Sequence, residues 1–446
     1  MIGRISRPFF LAAGVFLCCC PALLAQQALP EFSGHDRVLI LAPHPDDESI
    51  ATGGVIQRAV KAGAEVKVVC FTNGDNNEFS FIVYEKRITF RKGIFLHMGM
   101  VRAAETMEAM RFLGVKKSDV NYMGYPDFGT MEILGKYWNT SKPYRSWLPR
   151  VRKVSYQDAL SIGAPYVGES ILSDLKTVLT AFKPTGIFVS HPADLNRDHQ
   201  SLYLFLRVAL WDLEGAIEKP AIYPYLIHGI GWPRPRGRRP KLSLKPPKTL
   251  AGLSWYQLLL TEEELSNKQK AIGMYKSQIA YNPPYLYTFA RANELFGDFE
   301  HVDIHRSLDE GDIEWQSVGS GNGAQANGAF LQYAVVDKDL RIKVALRKKI
   351  DKNIGLYINL LGYNKKKGFA AMPKLAITVG RRGMRIKDKK DVVFIKDARL
   401  TFQGSTAYIS IPLASLGDPD YIMARARRRF FRVPLDAAAW RILKVR

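Results

Sequence analysis

The chain has 446 residues, 47% of them hydrophobic, with seven Trp, 20 Tyr and 23 Phe. That is apolar material for two packed domains, and it excludes both a disordered chain and a membrane-embedded one. Lys and Arg number 64 against 42 Asp and Glu, a net charge of +22, but the basic runs are scattered and lack interleaved aromatics. No nucleic-acid partner is expected on that ground, whereas an anionic polymer or a membrane surface suits the charge.

In chain order, Arg4 and Arg7 precede an uncharged apolar stretch from Phe9 to Ala25, with Gln26 and Gln27 following. This is the layout of a signal peptide over residues 1–25, so the protein is read as secreted or periplasmic, with an uncleaved anchor as the alternative. Leu17 ahead of Cys18 argues against lipidation there. Beyond this segment only Cys70 remains, which excludes an internal disulfide and a cysteine-based metal site. It lies in the apolar run Val66–Phe71 and is read as a buried strand residue.

Arg37–Ala42 (RVLILA) is a short continuous apolar run, the pattern of a strand buried on both faces. Helical spacing follows from Ser49 to Ala62, then the Val66–Phe71 strand, a helix from Met98 to Phe112, and a strand at Val120–Met123. Glu169–Phe182 is helical, and Gly186–Ser190 (GIFVS) is again a buried strand. The β-α-β rhythm predicts an α/β fold, a Rossmann-like open and mostly parallel sheet with helices on both faces. Such sheets bind ligands at the carboxyl ends of their strands, so the residues after RVLILA and GIFVS are the ones to inspect. Between Gly124 and Pro165 lies a long irregular stretch with Tyr137, Trp138, Tyr144, Arg145 and Trp147. Its aromatic faces and cations would suit a sugar bearing anionic groups, or it simply packs back as a surface loop.

From about residue 309 the pattern changes. Ser317–Gly328 is Gly-, Asn- and Ser-rich, and beyond it Leu340, Ile342, Val344 and Leu346 alternate with Arg341, Lys343 and Ala345. Further strand patterns fall at 354–361, 375–379, 392–395 and 407–411. The division expected is a signal peptide at 1–25, an α/β domain at 26–308, a linker at 309–328 and an all-β sandwich-like accessory domain at 329–446, either carbohydrate-binding or only packing.

The chemistry concentrates in two strings. Pro43-His44-Pro45-Asp46-Asp47-Glu48 follows the first strand, and His191-Pro192-Ala193-Asp194-Leu195-Asn196-Arg197-Asp198-His199 follows GIFVS. Imidazole and carboxylate at one sheet edge are what a catalytic zinc site uses, with one position left open. His44 and Asp47, three residues apart, can face one ion, and a distant ligand such as His199 would complete the set.

These strings resemble the motifs of the PIG-L/LmbE family of zinc-dependent de-N-acetylases, Ala-His-Pro-Asp-Asp-Glu and His-Pro-Asp-His. Here the first begins with Pro43 and the second reads Asn196-Arg197-Asp198-His199. Arg102-Ala103-Ala104-Glu105, Tyr125-Pro126-Asp127, and Lys268 with Ser277-Gln278 resemble further family segments, and the resemblance spans about 36–300. It implies a Zn2+ cofactor held by His44, Asp47 and His199, and Asp46 as general base toward a water held at the zinc. It implies Asp198 as an orienting partner, with Arg102 and Asp127 at the substrate. The implied reaction is removal of the N-acetyl group from an N-acetylglucosamine-type sugar in a glycan or glycoconjugate. Asn196 departs from the family's His and cannot deliver a proton at neutral pH. His191 is then the candidate acid, unless Asp46 shuttles the proton itself. The alternatives are an amidohydrolase acting on a non-sugar N-acyl compound, and a carbohydrate-binding protein impaired in turnover.

Overall fold

The computed structural model describes residues 26–76, 83, 92–318, 330–346, 349–350, 354–430, 433–434 and 439–446. Residues 1–25, read above as a signal peptide, and most of the Gly-rich connector lie outside these. No helix among the described residues is long and apolar enough to cross a membrane.

Five parallel strands form the first sheet: β1 (Arg37–Ala42), β2 (Glu65–Thr72), β3 (Val120–Tyr125), β4 (Gly186–Ser190) and β5 (Ala221–Tyr225). Their spatial order is β3-β2-β1-β4-β5. β1 explains its own sequence. Val38, Ile40 and Ala42 enter one core with helices α1 (Asp47–Lys61) and α2 (Lys92–Phe112), while Leu39 and Leu41 enter another. That second core is closed by α3 (Thr130–Lys136), α4 (Gly168–Phe182) and α5 (Arg197–Asp212). A strand covered on both faces needs apolar residues at every position. The chain builds outward through β2 and β3, then returns to the other side of β1 as β4. The order therefore reverses between β1 and β4, which opens a crevice at their carboxyl ends.

β5 carries no periodic signal, and Pro224 sits inside it. As the edge strand of this sheet, it can spare the missing N–H. Equally unread in the sequence were the antiparallel pair β6 (Trp255–Leu259) and β7 (Asn293–Gly297), and α6 (Glu262–Ile272). Thr261 and Glu264 form a reciprocal capping box at the start of α6. From α6, Lys268 reaches Glu294 on β7 at 2.6 Å, with both side chains buried. The Glu294 oxygens also accept the Gly54 and Val55 N–H groups at 2.7 and 3.0 Å. Those contacts fall just after α1 loses helical geometry at Thr52. A Cβ on Gly54 would lie 2.2 Å from Leu260 and 3.1 Å from Glu294, so only glycine admits this approach.

The C-terminal third is a β-sandwich. One sheet runs Asp391–Val393, Gly383–Asp388, Lys374–Gly380, Ile354–Tyr363, Tyr421–Phe430, Arg441–Val445, Val302–Ile304. The other runs Arg306–Ser307, Phe330–Val336, Asp339–Ala345, Thr406–Pro412, Arg399–Gln403, with Gln316–Ser317 beside Phe330–Val336. Their inner faces share one core. Residues 302–307 and 316–317 thus pair into these sheets, ahead of and within the stretch that composition marks as the domain end and linker. Strands of two or three residues are too short to show a period. The sandwich docks on α5: Trp211 stacks on Tyr421 at 4.5 Å, and Arg425 donates to Gln200 at 2.7 Å. Trp138 is buried in that junction against Phe369 at 4.9 Å, and so is no sugar platform.

Replacing Lys268 with Met would leave Glu294 buried and without its cation. The expected loss is about 3–5 kcal/mol of stability, read by urea unfolding. Adding Glu294→Gln to that variant should recover part of it, and no loss in Lys268→Met would show that the pair does not anchor α1.

Candidate active site

The turn after β1 is strained. Asp46 has φ 106°, a value that residues with a Cβ avoid and that costs about 1–3 kcal/mol. Three contacts hold it: Glu48 accepts the Asp46 N–H at 3.2 Å, Arg102 donates to the Pro45 carbonyl at 2.7 Å, and Arg102 reaches the Asp46 carboxylate at 3.3 Å. Tyr275 in turn donates to Glu48. The result is that two adjacent carboxylates diverge. Asp46 lines the pocket beside Arg102, while Asp47 turns to two imidazoles.

His44 Nδ1, Asp47 Oδ2 and His199 Nε2 form a nearly equilateral triangle, with separations of 3.2, 3.1 and 3.3 Å. A tetrahedral ion bound at 2.0–2.1 Å needs ligand atoms about 3.3–3.4 Å apart. The three donors are therefore spaced as one face of such a tetrahedron, and His44 and Asp47 also line the pocket. Charge points the same way. Burial opposes protonation of His44, yet Asp127, Asp198 and Asp47 together hold its pKa well above the usual histidine value. Burial likewise opposes charge on His199, but Asp194 and Asp47 push it up to about 9. Imidazoles that attract protons against burial mark a site with carboxylate charge in excess, and a divalent cation fits it.

Carboxylates stand behind both imidazoles of this triangle. His44 Nε2 meets Asp127 at 3.1 Å and Asp198 at 3.6 Å, and His199 Nδ1 lies 3.3 Å from Asp194. This is the carboxylate–imidazole support that metal-binding histidines use. Asp198 also takes the Phe128 and Thr130 N–H groups at 2.5 and 3.1 Å, fixing the loop after β3. Asp127, expected at the substrate, has a different task. Its oxygens are engaged by His44 and by the Asn76 N–H at 3.1 Å, although it does line the pocket. Arg102 does face the pocket. Glu105, three residues on, accepts from the Ser277 N–H and hydroxyl at 2.8 and 2.6 Å.

His191 does not reach the site. It is wholly buried, stacked on Trp255 at 6.0 Å, and its Nδ1 accepts the Ala193 N–H at 3.0 Å. Burial drags its pKa down to about 3, so as a core residue it has no route to a leaving amine. Asn196 does line the pocket, and its Oδ1 caps α5 by accepting the Asp198 N–H at 2.8 Å. The imidazole the sequence reading missed is His228, just past β5. Its Nδ1 is held by Asp194 at 2.9 Å, it lines the pocket, and its ring meets His199 edge-on at 4.7 Å. Asp194 takes the Ile227, His228 and Asn196 N–H groups as well, at 3.0, 2.9 and 2.8 Å. Burial opposes its charge, yet His199 and His228 hold it well below the ordinary carboxylate range. No motif surrounds His228. Its clue was topological: it lies at the carboxyl end of the strand next to GIFVS.

The pocket has a volume of about 860 Å³. Burial pushes the Asp46 carboxyl at its floor up to about 8, with Arg102 restraining the rise. Trp147, 68% exposed, and Phe128, 55% exposed, stand at its lining with Trp232, Tyr285 and Arg236. The irregular 124–165 stretch thus contributes Trp147 and Phe128 to the pocket, while Tyr137 lies under the Lys390 ammonium at 3.5 Å.

Residues 39–210 match the PIG-L family, described as GlcNAc-PI de-N-acetylase. A 1D-myo-inositol 2-acetamido-2-deoxy-alpha-D-glucopyranoside deacetylase of Mycobacterium sp. (strain KMS) is 28% identical over 178 residues, 40% of this chain and 52% of that protein. Its counterpart in Tsukamurella paurometabola is 38% identical over 77 residues, 17% and 25% of the two chains. The chain therefore spans about half the length, or less, of these curated relatives. Among solved structures, N,N'-diacetylchitobiose deacetylase from Pyrococcus horikoshii aligns over 56% of this chain and 76% of its own, at 20% identity and a TM-score of 0.35. The A40926 pseudoaglycone deacetylase aligns over 59% and 96%, at 15% identity and a TM-score of 0.37.

The donor triangle predicts about one zinc per chain by elemental analysis after dialysis. His199→Ala should lose it, and His191→Ala should keep it. Zinc retained in His199→Ala would rule out this triangle as the binding site.

Proposed function

We propose, from the premise that residues 39–210 are a PIG-L family domain, that the chain is a zinc-dependent deacetylase acting on an N-acetylglucosamine-type sugar. One observation carries the reading: the donor atoms of His44, Asp47 and His199 converge at 3.1–3.3 Å, with the Asp46 carboxylate beside them on the pocket floor.

Those three residues would hold the zinc, which when bound would supply Lewis-acid chemistry for the acetamide carbonyl and for activating water. The protein's own groups do the rest. Asp46 takes a proton from the attacking water, a role suited to a carboxylate whose pKa lies near neutrality. The water oxygen bonds to the acyl carbon, the C–N bond breaks, and acetate and a free amine result. The leaving nitrogen takes up a proton on departure. His228 is placed to give it, because Asp194 fixes Nδ1 and leaves Nε2 as the ring nitrogen for the pocket. Asn196 contributes an amide donor for the carbonyl oxygen as negative charge develops there. Trp147 and Phe128 offer apolar faces for the sugar rings. The apolar run Phe9–Ala25 supports a location outside the cytoplasm, where such glycans are exposed.

Asn196 favours a second reading, a sugar-binding protein without turnover, and one assay separates the two. Acetate release from N-acetylglucosamine oligomers should depend on zinc and fall by about 10²–10⁴ in Asp46→Asn. In His228→Gln, kcat should fall by about 10–100-fold with KM little changed. Oligomers that bind to the zinc-loaded chain without releasing acetate would establish the binding role instead. Full turnover in His228→Gln would return the proton to Asp46.

A further inference from the structure

Four exposed apolar side chains stand around the mouth of the pocket. Phe128, Trp147 and Leu195 line it at 55%, 68% and 40% exposure, and Ile230 lies between the lining residues Gly229 and Trp232 at 69%. Phe128, Leu195 and Ile230 sit in the loops that follow β3, β4 and β5, so all three leave the carboxyl edge of one parallel sheet. Trp147 joins them there. The N–H of the next residue, Leu148, donates at 3.2 Å to Asn76, just past β2.

The backbones that carry these groups are pinned. Phe128 is held at φ 57° with its N–H on Asp198 at 2.5 Å. The loop of Trp147 is closed at its base, where Ser146 N–H donates to the Val151 carbonyl at 2.9 Å and Val151 N–H to the Ser146 hydroxyl at 3.0 Å. Arg150 in the same loop has φ 55°. Ile230 stands at the tip of a turn closed by the Trp232 N–H on the Gly229 carbonyl at 3.3 Å. Bonded turns, two of them strained, that hold apolar groups out in water mark a surface that something covers.

Charge says what covers it. Residues 133–157 carry six Lys and Arg with no Asp or Glu, and residues 219–261 carry eight with none. Trp147 falls in the first stretch and Ile230 in the second. Arg145, Arg150, Arg234, Arg236 and Arg239 are exposed, and none of them meets a carboxylate among the described residues. Arg145 reaches the Arg150 carbonyl at 3.4 Å, and Arg236 lies over the Tyr285 ring at 5.6 Å. Lys136 and Arg197 are set apart from these, because they share Glu132 at 2.5 and 2.8 Å.

We propose that the pocket mouth docks on an anionic lipid bilayer. Phe128, Trp147, Leu195 and Ile230 enter the boundary between headgroups and acyl chains, and the arginines beside them meet lipid phosphates. Tryptophan and aliphatic side chains among cations are what a peripheral membrane surface presents. A soluble acidic polymer would engage the cations but leave Ile230 and Leu195 in water, with no apolar area buried. The deacetylase reading then places the reacting sugar at headgroup level, whereas the docking does not depend on that reading.

The test is flotation of the full chain with phosphatidylcholine vesicles, with and without phosphatidylglycerol. Binding should be about tenfold or more tighter to the anionic vesicles and should weaken as salt rises. Ile230→Ser, a change outside the pocket lining, should weaken it about tenfold. The combined Arg145→Gln, Arg150→Gln, Arg234→Gln and Arg239→Gln variant should weaken it about 100-fold. Lipid brominated near its headgroup should quench tryptophan emission, and Trp147→Phe should lose most of that quenching while still binding. Residues 1–25 contain no Trp, so insertion of that segment alone would leave the emission unquenched. Binding indifferent to salt and to these variants, vesicle binding without quenching, or binding to soluble polygalacturonate but not to vesicles would overturn the proposal.

Discussion

Asp46 occupies a backbone conformation that an L-residue resists, and the site depends on its being kept there. Its neighbours show how: Arg102 bridges from α2 to the Pro45 carbonyl, and Glu48 caps the Asp46 N–H while Tyr275 donates to it. Because the chain twists at that residue, Asp46 and Asp47 leave in different directions despite being adjacent. One lines the pocket beside Arg102, and the other faces the imidazoles of His44 and His199. Relaxing Asp46 into ordinary helical geometry would turn both carboxylates together, and the separation of roles would be lost. The buried Lys268–Glu294 pair serves the same end from farther away, since Glu294 takes up the N–H groups of α1 where its helical bonding is interrupted.

The second half of the site follows from the order of the sheet. Reversal between β1 and β4 brings His44 and His199 together from positions 155 residues apart. The edge strand β5 then delivers His228 to the same rim. Asp194 joins these parts. A carboxylate that accepts from three backbone N–H groups and the His228 imidazole, with His199 3.3 Å away, is fixed in both charge and direction. It stands behind His199 and holds the pocket imidazole of His228 at once. Position 196 carries an amide where the resembled motif has a histidine, and the pocket's imidazole arrives instead from another strand.

The sandwich is more than an appendage. Its Tyr421, Met423 and Trp440 share a core with α5, and Arg425 reaches Gln200, whose side-chain amide donates to the Asp194 carbonyl. The polypeptide segment that carries His199 is therefore packed from both sides.

The primary structure alone determined the sheet's central strands, because a strand buried on both faces must be apolar at every position, as RVLILA and GIFVS are. It also singled out His44, Asp47 and His199 as candidate ligands, since they lie in compact strings directly after those strands. Asp46, Arg102 and Asn196 were legible for the same reason, and the pocket does contain them. Tertiary structure decided the remainder. His191 and His228 have equal standing as residues in a chain, yet packing against Trp255 buries the first, and the edge strand exposes the second to the pocket. Asp127 and Trp138 went to structural tasks because His44 and Phe369 stand beside them in space, which no local pattern encodes. The short strands at 302–307 could be recognised only from their partners. Periodicity reports a residue's neighbours along the chain, whereas burial, charge and reach depend on neighbours brought in by the fold.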